Sequence, residues 1–106
     1  MIKENCSEKL DQVDHVTIQV ADIEKSVQWY CTSFACKPCL QTKTFALLEF
    51  SNIKVALTLP SQEPNHLAFI RSNAAEFGEL RKRSDGSMGT YLSDPTGNIV
   101  ELITSR

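Results

Sequence analysis

Asp14-His15-Val16-Thr17-Ile18-Gln19-Val20, followed by Ala21-Asp22, is echoed by Asn65-His66-Leu67-Ala68-Phe69-Ile70-Arg71, followed by Ser72-Asn73. Each copy opens on a polar residue and a histidine, alternates apolar and polar residues with period two, and closes on a helix-capping residue. The two histidines stand fifty-one positions apart, at 15 and 66. A fixed-offset repeat predicts two copies of one supersecondary unit. Repeating a histidine also repeats the commonest metal-ligating side chain.

The far ends of the copies correspond as well. Asn52-Ile53-Lys54-Val55-Ala56-Leu57-Thr58 aligns with Asn98-Ile99-Val100-Glu101-Leu102-Ile103-Thr104 when Val55 and Leu57 are set on Val100 and Leu102. That offset is forty-five, so the second copy is six residues shorter, and Ala56 stands opposite Glu101. The histidines are symmetric and the carboxylate is not.

The 106 residues suffice for a single domain, 1–106. Module one is expected over about 13–59, a linker over 60–64 and module two over about 65–104. A hydrophobic share of 42%, a charged share of 23% and a net charge of −2 describe an ordinary globular chain. With acids and bases interspersed, neither nucleic acid nor an anionic membrane is indicated as a partner. The opening MIKENCSEKL lacks the apolar core of a signal peptide, and no apolar run approaches bilayer length. The expected location is cytoplasmic.

Four cysteines, Cys6, Cys31, Cys36 and Cys39, are then expected to be free thiols. Cys36-Lys37-Pro38-Cys39 has redox-motif spacing. It follows the end of a helix, however, where the dipole does not lower a thiol pKa. A structural zinc would need a second such pair, and there is none.

Residues 1 to 11 read as a loosely held arm. Val13 to Val20 reads as the first strand, with Val16, Ile18 and Val20 on its buried face and His15, Thr17 and Gln19 on the other. Asp22 is the expected N-cap of a helix to about Phe34, whose stripe is Ile23, Val27, Tyr30 and Phe34. Pro38 forbids its continuation. Cys39 to Lys43, Phe45 to Ser51 and a run ending at Leu59 read as strands, and Pro60 to Pro64 as the linker. Leu67 to Ile70 reads as strand. Asn73-Ala74-Ala75-Glu76 resembles a capping box opening a second helix with Phe77 and Leu80 on its apolar side. Lys82 to Ser87 reads as turn, Met88 to Ser93 and Ile99 to Ile103 as strands, and Asp94-Pro95-Thr96-Gly97 as the turn between them. The second module therefore has its second strand short or missing.

Two βαβββ modules, with DHVTIQVADIEKSVQWY in one and YLSDPTGNIVELIT ending the other, resemble the vicinal oxygen chelate superfamily of glyoxalases, bleomycin-resistance proteins and extradiol dioxygenases. The resemblance covers residues 13 to 104 and is most specific over Ser93 to Leu102. It implies an α+β fold in which paired modules form a cupped mixed sheet with helices outside. It further implies a divalent metal (Fe, Mn, Zn, Ni or Co) held by His15, His66 and Glu101, with Glu101 also the catalytic candidate. Thr17, Gln19, Ala68 and Tyr91 are the candidate pocket residues. All three proposed ligands occupy polar positions of alternating strands and so share one face. Two imidazoles and a carboxylate hold first-row divalent ions with coordination positions left open.

The sequence departs from the family in three places. Ala56 stands where glyoxalase-type enzymes carry a further acid, which disfavours a four-ligand centre. Ala35 replaces a glycine after the first helix, so that junction is expected to differ. The shortened second module leaves part of the cup wall open. Glu49 is either a group inside the cup or a solvated strand residue.

The expected function is a metal-dependent enzyme that chelates vicinal oxygens of a small-molecule substrate. The alternatives are a metal-free binding module of the bleomycin-resistance kind and a partner-binding protein with a relic metal site. A homodimer is expected because each half-cup has edges to cover, and the ligands of one metal could then come from two chains.

Overall fold

The computed structural model describes residues 10–83 and 85–105. Cys6 and most of the expected N-terminal arm lie outside the described residues. The chain order is β1 (Gln12–Gln19), α1 (Ile23–Ser33), β2 (Lys37–Gln41), β3 (Phe45–Glu49), β4 (Lys54–Thr58), β5 (His66–Ile70), β6 (Arg81–Lys82), β7 (Met88–Ser93) and β8 (Ile99–Ile103). These strands form one mixed sheet in the order β2-β3-β4-β1-β5-β8-β7-β6. The first strand of each module runs parallel to its last, β1 to β4 and β5 to β8. The modules meet where β1 and β5 pair antiparallel. The repeat in sequence is thus a repeat in space, with both histidine strands side by side at the centre.

Local chemistry builds module one as its pattern predicts. Asp22 caps α1, its side chain accepting from the Lys25 backbone N–H at 3.0 Å, and Glu24 occupies the first turn. Ile23 and Val27 are buried against Ala46, Leu48 and Leu57. Each aliphatic side chain so buried stabilises the fold by about 1.5–3 kcal/mol. Phe34 departs from the expected stripe. It is the C-cap, more than half exposed, in an extended conformation (φ −136°), and among the described residues no non-glycine residue has a positive φ. The helix ends without a left-handed residue, so Ala35 needs no glycine's freedom.

Burial on β1 reverses the expected sides. Asp14, His15 and Thr17 are buried, while Val16 and Ile18 are only half-buried. The sheet curls so that its concave face is enclosed, and Phe45, Leu47 and Ala56 bury themselves on that side. On the convex side α1 covers module one. An alternating strand says which residues share a face, and the curl of the sheet decides which face is dry.

Module two corrects the second helix. Ala74–Glu76 is one turn of 3-10 helix, and Asn73 makes no side-chain cap bond. The chain is drawn down onto β7 instead: a Cβ at Gly78 would stand 2.5 Å from Thr90 Oγ1. A helix continued through that position would have to lift away from the sheet. Phe77 is consequently exposed rather than packed as a helical stripe. The missing second strand survives as the two residues of β6, which overlap the expected turn region at Lys82 alone. The Asp94 turn forms as expected, Asp94 Oδ1 accepting from the backbone of Thr96 and Asn98, with Gly97 at φ +93°. The Asn98 side chain, its Nδ2–H donating to Oδ2 at 2.8 Å, together with those backbone bonds holds the Asp94 carboxyl down at about 2. Among the described residues, no helix is long and apolar enough to cross a membrane.

Candidate metal centre

His15 pairs with Ala68 across β1 and β5, Ala68 with Glu101 across β5 and β8, and Glu101 with Tyr91 across β8 and β7. This row crosses the concave face at the module boundary, with His66 beside it opposite Thr17. Ala68, with no bulk and fully buried, lets the side chains of His15 and Glu101 meet over it. Ligand atoms of His15, His66 and Glu101 all lie within 4.8 Å of one another, and all three residues are buried. They converge within one chain, so the set needs no second subunit to complete it.

Both imidazoles face the same carboxylate oxygen. Glu101 Oε1 stands 3.1 Å from His66 Nε2 and 3.5 Å from His15 Nε2. The other ring nitrogens are engaged behind: His66 Nδ1–H donates to the Pro64 carbonyl at 2.7 Å, and His15 Nδ1–H to Asp14 Oδ2 at 2.7 Å. A carbonyl can only accept, so the Nδ1 position of His66 carries its proton and Nε2 is turned toward the cluster. Orientation from behind by a carbonyl and a carboxylate is how metal-ligating histidines are held. Two ring nitrogens and an anionic oxygen facing one another also require a cation between them, a proton or a metal ion. The donor chemistry fits a first-row divalent ion.

The electrostatics agree. Burial lowers the His15 pKa, but the hydrogen bonds to Asp14 and Glu101 outweigh it and bring it up to about 9. For Glu101 burial acts upward, yet His15, His66 and Arg83 together bring it down to about 2. His15 is therefore an imidazolium beside a carboxylate at neutral pH when a proton fills the role of the cation.

The expected pocket residues separate. Tyr91 stands edge-on to His66 with 5.2 Å between ring centroids, its hydroxyl donating to Glu63 Oε1 at 3.3 Å. Burial and the Glu63 carboxylate push its hydroxyl pKa upward. Thr17 is buried against the cluster, and its Oγ1 has no hydrogen-bond partner among the described residues. Thr17 and His66 also border a cavity of about 380 Å³, but Val16, Ile18, Leu67 and Val100, which alternate with the cluster residues, line it, so it opens mainly on the other face of the sheet. Gln19 does not line the site: it is exposed and pins the linker, donating through its backbone to Asn65 Oδ1 and through Nε2 to the Glu63 carbonyl. Glu49 is exposed and lies near Cys39 Sγ, outside the cluster. Ala56 is buried and offers no fourth ligand. Cys36 approaches Cys31, with 3.8 Å between sulfurs, rather than Cys39.

Two residues that sequence reasoning passed over complete the site. Asp14 reads as the polar opener of β1, and strict alternation would put it on the opposite face from His15. Arg83 reads as part of a polar turn. In the structure its guanidinium forms an ion pair with Glu101 Oε2 and lies 4.0 Å over the Tyr91 ring. No spacing signal marks either residue, because a bulge places one and a tight turn the other.

No protein-family model matches the sequence, and no curated protein matches it. Solved structures do. A hypothetical protein from Bacillus halodurans C-125 superposes with a TM-score of 0.68 at 19% identity, over 90% of this chain and 94% of that one. A glyoxalase/bleomycin resistance protein/dioxygenase superfamily member from Vibrio splendidus 12B01 superposes with a TM-score of 0.62 at 11% identity, over 89% and 98%. The chain has the vicinal oxygen chelate fold. A Legionella pneumophila protein described as an NAD-dependent benzaldehyde dehydrogenase shares it, with a TM-score of 0.66 at 15% identity over 84% and 96%. Such identities establish the vicinal oxygen chelate architecture and leave the chemistry to the residues within it.

Proposed function

We propose that this protein is a metal-dependent enzyme of the vicinal oxygen chelate type acting on a small molecule, with His15, His66 and Glu101 as its metal ligands. The observation that carries the reading is the convergence of three buried donors with both histidines oriented from behind. When bound, the ion supplies Lewis-acid chemistry toward adjacent substrate oxygens. The chain's own residues do the rest. Asp14 and the Pro64 carbonyl hold the two rings, and Thr17 and Tyr91 stand beside them. Glu101 is the group best placed to influence a proton in the site. The protein is proposed to work in the cytoplasm as a homodimer.

Metal analysis of protein purified without a chelator or His-tag tests this reading. About one equivalent of Fe, Mn, Zn, Ni or Co per chain, lost on replacing both His15 and His66 by Ala, is expected. A metal-free protein that takes up none of these ions on titration would refute it.

One observation favours a second reading, a metal-free small-molecule-binding module. Glu101 already has His15, His66 and Arg83 around it, so a protonated triad satisfies its own charges. Ligand retention by a protein that binds no metal would select this alternative.

A further inference from the structure

The β6–β7 connection, too short to build a full strand pair, carries Arg83 into the cup. Its backbone N–H donates to the Ser87 carbonyl at 2.7 Å, and its carbonyl accepts from Gly86 N–H at 2.9 Å. Gly86 has φ +88°, a conformation that suits glycine. From this turn the side chain points inward and is only 15% exposed. The guanidinium lies 4.0 Å over the Tyr91 ring and pairs with Oε2 of Glu101, the oxygen other than the one that faces the histidines. The space there is made by Gly89. A Cβ at Gly89 would come within 3.2 Å of Oε2 and 2.9 Å of the Leu102 carbonyl oxygen.

The two oxygens of Glu101 thus have separate surroundings: Oε1 faces both Nε2 atoms, and Oε2 faces the guanidinium. We infer that Arg83 is a positioning residue that divides the Glu101 carboxylate, holding Oε2 so that Oε1 alone serves the metal. The inference rests on the metal-binding reading of the site. Its consequence is coordination number. A carboxylate that rotates freely can bind an ion through both oxygens and take two positions. One held by a planar cation binds through one oxygen and leaves a further position for the substrate's second oxygen. The shortened module therefore supplies part of the missing cup wall with Arg83 and Tyr91. Lysine, a point charge on a flexible stem, cannot hold the carboxylate in the same way.

The test compares cobalt(II)-loaded wild-type protein with Arg83→Gln and Arg83→Lys, by visible absorption and by titration with acetohydroxamate, a probe that binds through two adjacent oxygens. Wild-type protein is expected to bind one cobalt per chain. In Arg83→Gln the absorption weakens and shifts as Glu101 closes onto the ion, and acetohydroxamate affinity falls roughly tenfold. Arg83→Lys falls between the two. Cobalt binding by wild type with unchanged absorption and probe affinity in Arg83→Gln overturns the role of Arg83 alone. No cobalt uptake by wild type overturns the metal reading and this inference with it. Should Arg83→Gln fail to fold, as judged by circular dichroism, Arg83→Lys decides: a wild-type spectrum and probe affinity there overturn the inference.

Discussion

Asp14 and His15 are consecutive on one strand, yet Asp14 Oδ2 stands 2.7 Å from His15 Nδ1. In a regular strand neighbouring side chains point to opposite faces. Here the pairing of β1 with β5 shifts register between Val13 and His15, because Asp14 is inserted between two positions that face the consecutive residues Phe69 and Ala68. The bulge turns both side chains into buried positions, an arrangement often found beside functional sites.

Replacing that carboxylate should weaken the site without dismantling it. Asp14→Asn keeps the size of the side chain and removes its charge, so His15 becomes a poorer and less fixed donor. Metal affinity is expected to drop roughly 10- to 100-fold. Competition with a chromophoric chelator measures this, and an unchanged dissociation constant would show that Asp14 does not orient the ligand.

The two shifted groups set opposite limits on the stability of the metal-free protein. The His15 pKa is raised from 6.5 to about 9, so its contribution is complete below pH 6.5 and disappears as pH rises through about 9. The Glu101 pKa is lowered from 4.5 to about 2, so its contribution is complete above pH 4.5 and disappears as pH falls through about 2. Urea midpoints should therefore be highest between pH 4.5 and 6.5. Metal affinity runs the other way on the alkaline side, rising toward pH 9 because the ion must displace the His15 proton. Flat metal affinity from pH 6.5 to 9 would contradict the His15 assignment.

Glu101→Gln should separate ligation from folding. The amide preserves shape, but it removes the anionic donor and leaves Arg83 facing a neutral group, at a cost of about 1–3 kcal/mol. The protein is expected to stay folded while metal affinity falls sharply. Glu49→Gln, changed at an exposed position, should keep its metal. Equal loss in both variants, read by metal analysis after dialysis, would mean the carboxylate is misassigned.

The thiols should be bystanders. Cys39 is exposed, whereas Cys31 and Cys36 are half-buried. Burial and the adjacent Cys31 push the Cys36 thiol pKa up, which lowers its reactivity. Mass spectrometry during alkylation should find Cys39 modified before either of them, and the Cys36→Ser/Cys39→Ser double variant should retain its metal. A disulfide that cycles with substrate would reverse this expectation.

Self-association should be visible in solution. Leu67 and Phe77 on module two are exposed, and Trp29 and Phe34 around α1 are exposed beside each other, with 5.9 Å between ring centroids. Sedimentation equilibrium at micromolar concentrations is expected to give twice the 11.9 kDa chain mass. Since His15, His66 and Glu101 meet within one chain, Leu67→Glu should favour the monomer while metal remains bound. A mass of 11.9 kDa at every wild-type concentration would rule the dimer out.

The repeat and the strands that carry it are legible along the chain, and the resemblance to the vicinal oxygen chelate superfamily singles out His15, His66 and Glu101. Alternation assigns His15, His66 and Glu101 to one face, and a fixed repeat brings equivalent strands together. Those are local rules acting over a few residues, so Met88–Ser93 and Ile99–Ile103 could be read without error. That this face is dry depends on the packed fold. Curling of the sheet buries Thr17 more deeply than Val16, and no hydrophobicity pattern along β1 encodes that inversion. Tertiary structure also shortened the second helix to one turn, where Gly78 is pressed against Thr90. It alone brought Asp14 behind His15 and Arg83 onto Glu101. A bulge depends on the register between two strands, and an ion pair eighteen residues apart, from 83 to 101, depends on where a turn aims its side chain. Both are properties of packed strands, which no single segment of the chain contains.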